Sequence, residues 1–439
     1  METRSSKNPM LRVMSLRDFR LLFTGAATSL LGDQFALVAT PWLTLKLTGD
    51  PLALGIVLAL EGFPRAVFML LGGAITDRFS PRLIMLISDI VRLILTTLMA
   101  LVIFTGTVQI WMMYVFALGF GLVAGFAIPA GNSIVPMLVK EQDLQAGNSL
   151  IMGVTQLVGF VGPTIGGILI GKYSDSSIGI GLAFALDALS FAVSALTLWL
   201  MRTGGRKHQL ANDAAKESVW MSILDGVKYL WNDRPLRLMF LVIMAVNFLL
   251  IGPLLVGIPV LADRWLPEGA VAFGLLMSGF AGGNLAGYLL AGSLPRPNGA
   301  VMKFLMVAVL MAFGVVIGSL GFIRSTWLDF SLMLMLGLGN GYIAILLFTW
   351  MQIHTPKDMI GRMMSILILA SSGLLPISQA ISGAVIKWSF NVLFVTVGTL
   401  SVLVMVWAAF QSELKALSDN IATQPSGEGS LSAESAPSD

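Results

Sequence analysis

The sequence predicts an all-α membrane protein, with twelve transmembrane helices in two pseudo-symmetric six-helix bundles. Three observations carry that expectation: the apolar runs are long and unbroken, a polar stretch divides the chain in the middle, and the two halves share residue spacings. Of 439 residues, 56% are apolar and only 12% charged, where an ordinary soluble domain carries about 25% charge. The mean hydropathy is +0.85. A spanning helix needs about 20 apolar residues, so the apolar content permits on the order of twelve spans. Backbone polar groups in hydrocarbon must be satisfied internally, which leaves helices or a closed barrel. Barrel strands alternate in short segments; these runs do not.

The first half gives apolar segments near 20–46, 52–75, 83–104, 111–135, 148–171 and 179–201. The second half gives 236–261, 271–293, 303–323, 328–352, 363–386 and 391–411. This sets an N-terminal bundle over 1–201, a cytoplasmic linker over 202–235, a C-terminal bundle over 236–411, and a disordered tail over 412–439. Within the linker, VWMSILDGVKYLW has the pattern of a surface-lying amphipathic helix. The tail is rich in Ser, Ala, Pro and acids, a composition that does not fold alone. No short apolar stretch with a small-residue cleavage site opens the chain, so no cleaved leader is read. Basic residues concentrate at the N-terminus, in the linker and in alternate loops, while the other loops hold Lys46, Lys172, Arg264, Arg324 and Lys387. The positive-inside rule then puts both termini in the cytoplasm and the chain in the cytoplasmic, or inner, membrane.

The halves echo one another. Gly55, Arg65 and Gly73 in the second apolar segment have the spacing of Gly274, Asn284 and Gly292 in the eighth. The segment KEQDLQAGNSL before the fifth resembles PKDMIGRMMS before the eleventh. Paired repeats of this kind mark transporter architectures.

Ionisable groups inside spans are costly, roughly 2.5–3.5 kcal/mol each at a span centre, and persist where they face an interior or a wet cavity. Here they are Asp33, Glu61, Arg65, Asp89, Arg92 and Asp187. Asp33 falls mid-span, where a carboxylate can exchange protons, bind a cationic substrate, or pack as a hydrogen-bonded residue. Glu61 and Arg65 stand four apart and share a helix face, either as a substrate or gating contact or as a self-neutralising pair. Pro64 between them can kink the helix. Asp89 and Arg92, three apart, are expected to couple with the loop at Asp77 as a latch, or to pair with each other. Asp187 is read mainly as a helix–helix contact. Asn132, Gln156, Asn247, Asn284, Gln352 and Gln379 are polar candidates for a cavity wall, with interhelical hydrogen bonds the plainer use. Trp42, Trp350 and the many Phe and Met residues can form an adaptable apolar surface.

The loop after the second segment reads Gly73-x3-Asp77-Arg78-x3-Arg82. This resembles the signature loop of the major facilitator superfamily. In the fifth segment, Gly159, Gly162, Pro163, Gly166 and Gly167 resemble that family's antiporter motif, with the glycine spacing before GlyPro shifted by one. The opening LGDQFALVATPWLTLKLTGDPLALG, with Pro64-Arg65, is similar to the drug:proton antiporter subgroup that includes macrolide and siderophore exporters. The resemblance implies alternating access around a central cavity, with Asp77, Arg78 and Arg82 locking helices in the outward-facing state. Such a protein takes a small-molecule substrate, protons as coupling ion and lipids as surroundings, and is expected as a monomer. Two departures stand out: Gly121 occupies the place where many drug antiporters carry an arginine, and the second copy of the loop, AGSLPRPNG, keeps Arg296 without an acid.

The expected function is proton-coupled efflux of amphipathic or cationic small molecules. A lipid or lysophospholipid translocator is the alternative, and a non-transporting sensor or scaffold a third reading. No enzyme signature is present and there is no GxxxxGK[ST]. With only His208 and His354, and no cysteine, no histidine or thiolate metal cluster is expected, nor a cofactor or nucleic-acid partner.

Overall fold

The computed structural model of the chain describes residues 8–76, 79–173, 176–202, 219–295, 297–356 and 359–423. Twelve segments there are long and apolar enough to cross a membrane. A short surface helix α1 (Pro9–Ser15) begins where Asn8 accepts a hydrogen bond from the Met10 N–H and Pro9 needs no amide partner. Six long helices follow: α2 (Arg17–Thr48), α3 (Pro51–Thr76), α4 (Pro81–Phe104), α5 (Ile110–Leu138), α6 (Leu144–Gly171) and α7 (Ser176–Leu200). After α8 (Val219–Asn232) the second set begins with α9 (Arg234–Val246) and α10 (Gly252–Trp265), joined through a π-turn at Asn247–Ile251. It continues through α11 (Ala270–Ser293), α12 (Gly299–Leu320), α13 (Thr326–His354), α14 (Ile360–Ser372), α15 (Leu375–Trp388), α16 (Phe390–Ala409) and α17 (Ser412–Thr423).

Because each span reverses direction, the loops alternate between two faces. One, the N-terminal face, carries α1. The other, the Gly49 face, carries the turn after α2, where Gly49 ends the helix at φ +62°, a conformation that suits a residue without Cβ.

Two spans of the second set are broken. In the seventh, Gly252 N–H bonds back five residues to the Asn247 carbonyl, the mark of a π-turn. The displaced Phe248 carbonyl takes a hydrogen bond from the Ser378 hydroxyl of α15. The eleventh span is interrupted at residues 373–374, between α14 and α15, with Pro376 in the first turn that follows. Each break thus lies near the other's.

The halves meet at two glycine crossings. In α3 and α15, a Cβ on Gly55 would stand 3.1 Å from Gly383 Cα; in α11 and α6, a Cβ on Gly274 would stand 3.2 Å from Gly167 Cα. Gly55 and Gly274 are the residues the internal repeat equates, so the repeat reports a shared backbone contact. Small residues allow such approach, which drives helix association where lipid offers no hydrophobic gain.

The end of the chain departs from expectation. Residues 412–423, expected as the start of a disordered tail, form α17, which buries Leu414, Leu417 and Ile421 against the C-terminal half. Their spacing of three, four and seven makes one apolar face, which the polar composition of the tail obscured. Residues 424–439 and the linker residues 203–218 lie outside the described residues; α8 coincides with the expected amphipathic segment.

Candidate functional site

Charge is gathered in one place. A cavity of about 630 Å³ is lined by Asp33 of α2, Glu61 and Arg65 of α3, Asp89 and Arg92 of α4, Asn132 of α5 and Gln379 of α15. Its wall follows α2 from Leu22, near the N-terminal face, past Asp33 to Thr40 and Pro41, and takes in Leu198 of α7 and Phe273 of α11. Five of the six intramembrane ionisable residues named from sequence therefore share one space. The sixth, Asp187, lies behind its wall with no surface exposed.

The local contacts differ from the expected pairs in one case. Arg65 Nη1 and Glu61 Oε1 are 3.5 Å apart, so that pair forms. Asp89 and Arg92 do not pair. Asp89 Oδ2 accepts a 2.6 Å hydrogen bond from the Ser194 hydroxyl of α7. The Arg92 guanidinium lies 5.1 Å from the Phe120 ring and 5.5 Å from the Phe191 ring, an arrangement in which cation–π attraction replaces a counter-ion. A hydroxyl reaching in from a neighbouring helix satisfies the acid, which spacing along α4 alone does not reveal.

Gly121 has a steric cause: a Cβ there would fall onto the Glu61 backbone carbonyl. The α3–α5 approach excludes any side chain at this position, and Arg92 of α4 brings a cation to the cavity, besides Arg65, from another helix. Of the signature loop, Asp77 and Arg78 lie outside the described residues, as does Arg296 of its second copy, and Gly73 falls within α3. Arg82 donates to the carbonyls of Leu198 (2.6 Å) and Trp199 (2.7 Å) at the end of α7, a favourable site for a cation.

The antiporter-like glycines sit on α6, where Gly167 makes the crossing with α11 and Gly162 abuts the Gln34 side chain. Pro163 lies in the same contact, its carbonyl against Gly274, and Gly166 packs on Phe35; Gly159 has open space beside it. Thr164 adds a 2.8 Å hydroxyl bond to Ser278 across the halves.

A second cavity, of about 650 Å³, lies in the C-terminal half. Gln156, Asn247, Tyr288 and Asn340 are set among Met239, Met306, Phe313 and Met351 in its wall. Its α6 border, Met152, Gly153 and Gln156, alternates with Ile151 and Thr155 of the charged cavity, so this stretch of α6 stands between the two. Asn284 lines neither; it accepts a 2.8 Å bond from Asn340 and serves as an interhelical contact.

Sequence reasoning missed the closure at the Gly49 face. Lys46 pairs with Asp263 at 3.1 Å, Lys387 with Asp50 at 2.7 Å, and Arg264 donates to the Gly49 carbonyl at 3.1 Å. Each bond joins the halves, between residues at helix ends or in the turn after α2 that are far apart in sequence. Asp329 of α13 was missed too: it has no exposed surface, and neither carboxylate oxygen has a partner among the described residues. An acid just inside the start of an apolar run was the signal.

Two helical halves, a charged space between them and a tied face define a multi-span transporter fold. The chain belongs to the Major Facilitator Superfamily, whose family profile matches residues 22–378. Among curated relatives it is 26% identical to the Multidrug efflux pump Tap of Mycolicibacterium fortuitum, over 83% of this chain and 86% of that one. It is 23% identical to Macrolide efflux protein A of Streptococcus pyogenes, over 62% of this chain and 66% of that one. Among solved structures, a point mutant of the nucleoside transporter NupG matches in fold with TM-score 0.68, at 14% identity, covering 92% of this chain and 100% of that one.

Proposed function

We propose that the protein exports amphipathic or cationic small molecules by alternating access, with protons exchanged inward. The observation that supports this reading is the shared cavity of Asp33, Glu61, Arg65 and Arg92 in a molecule whose halves are tied by ion pairs at the Gly49 face. Asp33 exchanges its proton for a cationic substrate group. Glu61 and Arg65 bracket the substrate and release each other when the cavity turns over. The Lys46–Asp263 and Lys387–Asp50 pairs hold the Gly49 face shut and part when it opens. The N-terminal face is cytoplasmic, in line with the basic loops, and the membrane is the inner one. Efflux relatives support the direction of transport.

A second reading has its own observation. The Met-lined apolar cavity of the C-terminal half suits an acyl chain, so lysophospholipid translocation is the competitor. Purified protein in proteoliposomes with an imposed pH gradient, given ethidium, erythromycin or fluorescent lysophosphatidylcholine, separates the two. The export reading expects gradient-driven movement of ethidium or erythromycin with counter-movement of protons. Flux of the lysolipid alone favours the second reading, and no flux of any probe contradicts both.

A further inference from the structure

Behind the charged cavity lies a polar feature that the proposed export cycle does not use. Asp187 of α7 is wholly enclosed; the Ser190 hydroxyl beside it is turned to the Asp187 backbone carbonyl at 2.7 Å, which leaves both carboxylate oxygens without a hydrogen bond of good geometry. Its neighbour across the helix interface is Gly32: a Cβ there would press on Asp187 Oδ1 and on Ser190. The missing side chain leaves α2 open toward Asp187 at the residue just before Asp33.

From Asp187 a row of hydroxyls runs toward the N-terminal face. Ser190, Ser194 and Thr197 follow at intervals of three and four, on one side of α7, and all are buried. The Ser190 hydroxyl donates to the Asp187 carbonyl at 2.7 Å, Ser194 to the Asp89 carboxylate at 2.6 Å, and Thr197 to the Ser194 carbonyl at 2.9 Å. Ser194, Thr197 and Asp89 also line the cavity, so the row borders the cavity at one end and is enclosed at Asp187. Each hydroxyl can both donate and accept.

We infer that Asp187 is a second proton-carrying carboxylate, sealed behind Asp33 and loaded along the hydroxyl row of α7, so that the N-terminal half holds a proton outside the substrate cavity. The inference rests on the proton coupling proposed above. An ionised carboxylate without a partner in this position is costly, and a proton on Asp187 removes the cost. In the transfer step the O–H bond at Asp187 breaks, a new one forms on Asp33, and the negative charge moves from Asp33 to Asp187. Arg92 of the neighbouring α4 lines the same cavity as Asp33 and Asp89. The ionisable groups around Asp187 are few. Asp33 comes from α2, and Asp89 and Arg92 from α4, with Glu61 and Arg65 of α3 in the adjoining cavity. Arg82 stands at the far end of α7, α5 offers only Tyr114, and α6 has no charged residue.

The test is infrared difference spectroscopy between acid and neutral pH on protein in lipid nanodiscs, reading the carboxylic-acid C=O bands. Asp187→Asn should remove one titrating band and Asp33→Asn a different one. Asp187→Glu, which keeps the chain ionisable should the amide fail to assemble, should move the first band without deleting it. Spectra of Asp187→Asn that coincide with wild type, or a band unmoved in Asp187→Glu, overturn the inference. In proteoliposomes, Asp187→Asn should keep ethidium counterflow and lose pH-driven ethidium transport; Ser190→Ala, outside the cavity wall, should slow only the pH-driven process. Full pH-driven transport in Asp187→Asn overturns the inference while leaving the export reading intact. A wild type that ignores the pH gradient sinks the coupling reading, and the infrared arm then decides Asp187 alone.

Discussion

The two halves share a frame and differ in what they fill it with. Six residues after the equated glycines Gly55 and Gly274 stand Glu61 and Phe280; ten residues after stand Arg65 and Asn284. The backbone contacts agree: Gly121 lies against the Glu61 carbonyl, and Gly337 lies against the Phe280 carbonyl. In the N-terminal half this frame presents an acid and a base to a charged cavity. In the C-terminal half it presents an aromatic ring and an amide that bonds to Asn340, beside a Met-rich cavity. The halves also differ mechanically. Interrupted helices occur in the seventh and eleventh spans, stitched through Ser378 and Phe248, whereas α2 and α6 run unbroken through the N-terminal half. The comparison teaches that cavity charge and helix interruption are divided between the repeats.

Substitutions at the equated positions can break or sharpen this division. The largest effect is expected from Gly121→Arg, which would restore the arginine common in drug antiporters. Its Cβ overlaps the Glu61 carbonyl, and overpacking against backbone should cost more than about 3 kcal/mol. The expected outcome is loss of monodisperse protein on size-exclusion chromatography; a well-folded variant would mean that α3 and α5 can part. Next is Phe280→Glu, which copies the charge of the N-terminal half without its partner arginine. An unpaired acid in a span should cost roughly 3 kcal/mol, read as a lower thermal midpoint in detergent, and adding Asn284→Arg should return part of it. Should the single change be silent, the C-terminal position is wet as well.

Smaller effects test the contacts. Asn284→Ala removes one interhelical bond, worth about 0.6 kcal/mol on average in a membrane protein, and should leave transport intact; a transport defect would move Asn284 from packing to mechanism. The smallest effect concerns the tied face. Burial pushes the Asp50 carboxyl up, but the Lys387 ammonium and the Leu52 N–H outweigh it and hold it below the usual carboxylate range. A carboxylate lowered on folding stabilises above its ordinary titration range, and that stability is lost as pH falls through the lowered value. Both side chains are partly exposed, so the pair is worth no more than a few tenths of a kcal/mol to about 1 kcal/mol. Acidification below the normal carboxylate range should therefore loosen the Gly49 face in wild type but change little in Asp50→Asn. Spin labels on the loops after α2 and α15 would read the separation; equal behaviour of the two proteins would remove the pair from the gate.

Much of the frame was legible because it rests on composition and period. Twelve spans, the glycine crossings and the amphipathic α8 each write their cause into a local stretch of sequence. The charged cavity was half legible. Cost alone singled out Asp33, Glu61, Arg65, Asp89, Arg92 and Asp187, since few residues in apolar runs carry charge. Their partners were not legible, because Ser194, Phe191 and Phe120 reach Asp89 and Arg92 from other helices, and a hydroxyl in an apolar run looks like packing. The Asp263 and Lys387 contacts join segments separated by more than two hundred residues, a distance over which spacing says nothing. Ser378 became informative only once the seventh and eleventh spans were seen to break, and Asn340 only once α13 was seen to pack on Asn284 of α11.

The division of labour is tested most directly by gradient-driven ethidium transport in inverted vesicles carrying Asp33→Asn. The account predicts that transport is abolished while the variant is expressed and inserts normally. Transport equal to wild type would contradict it, and would take the charged cavity out of the coupling mechanism.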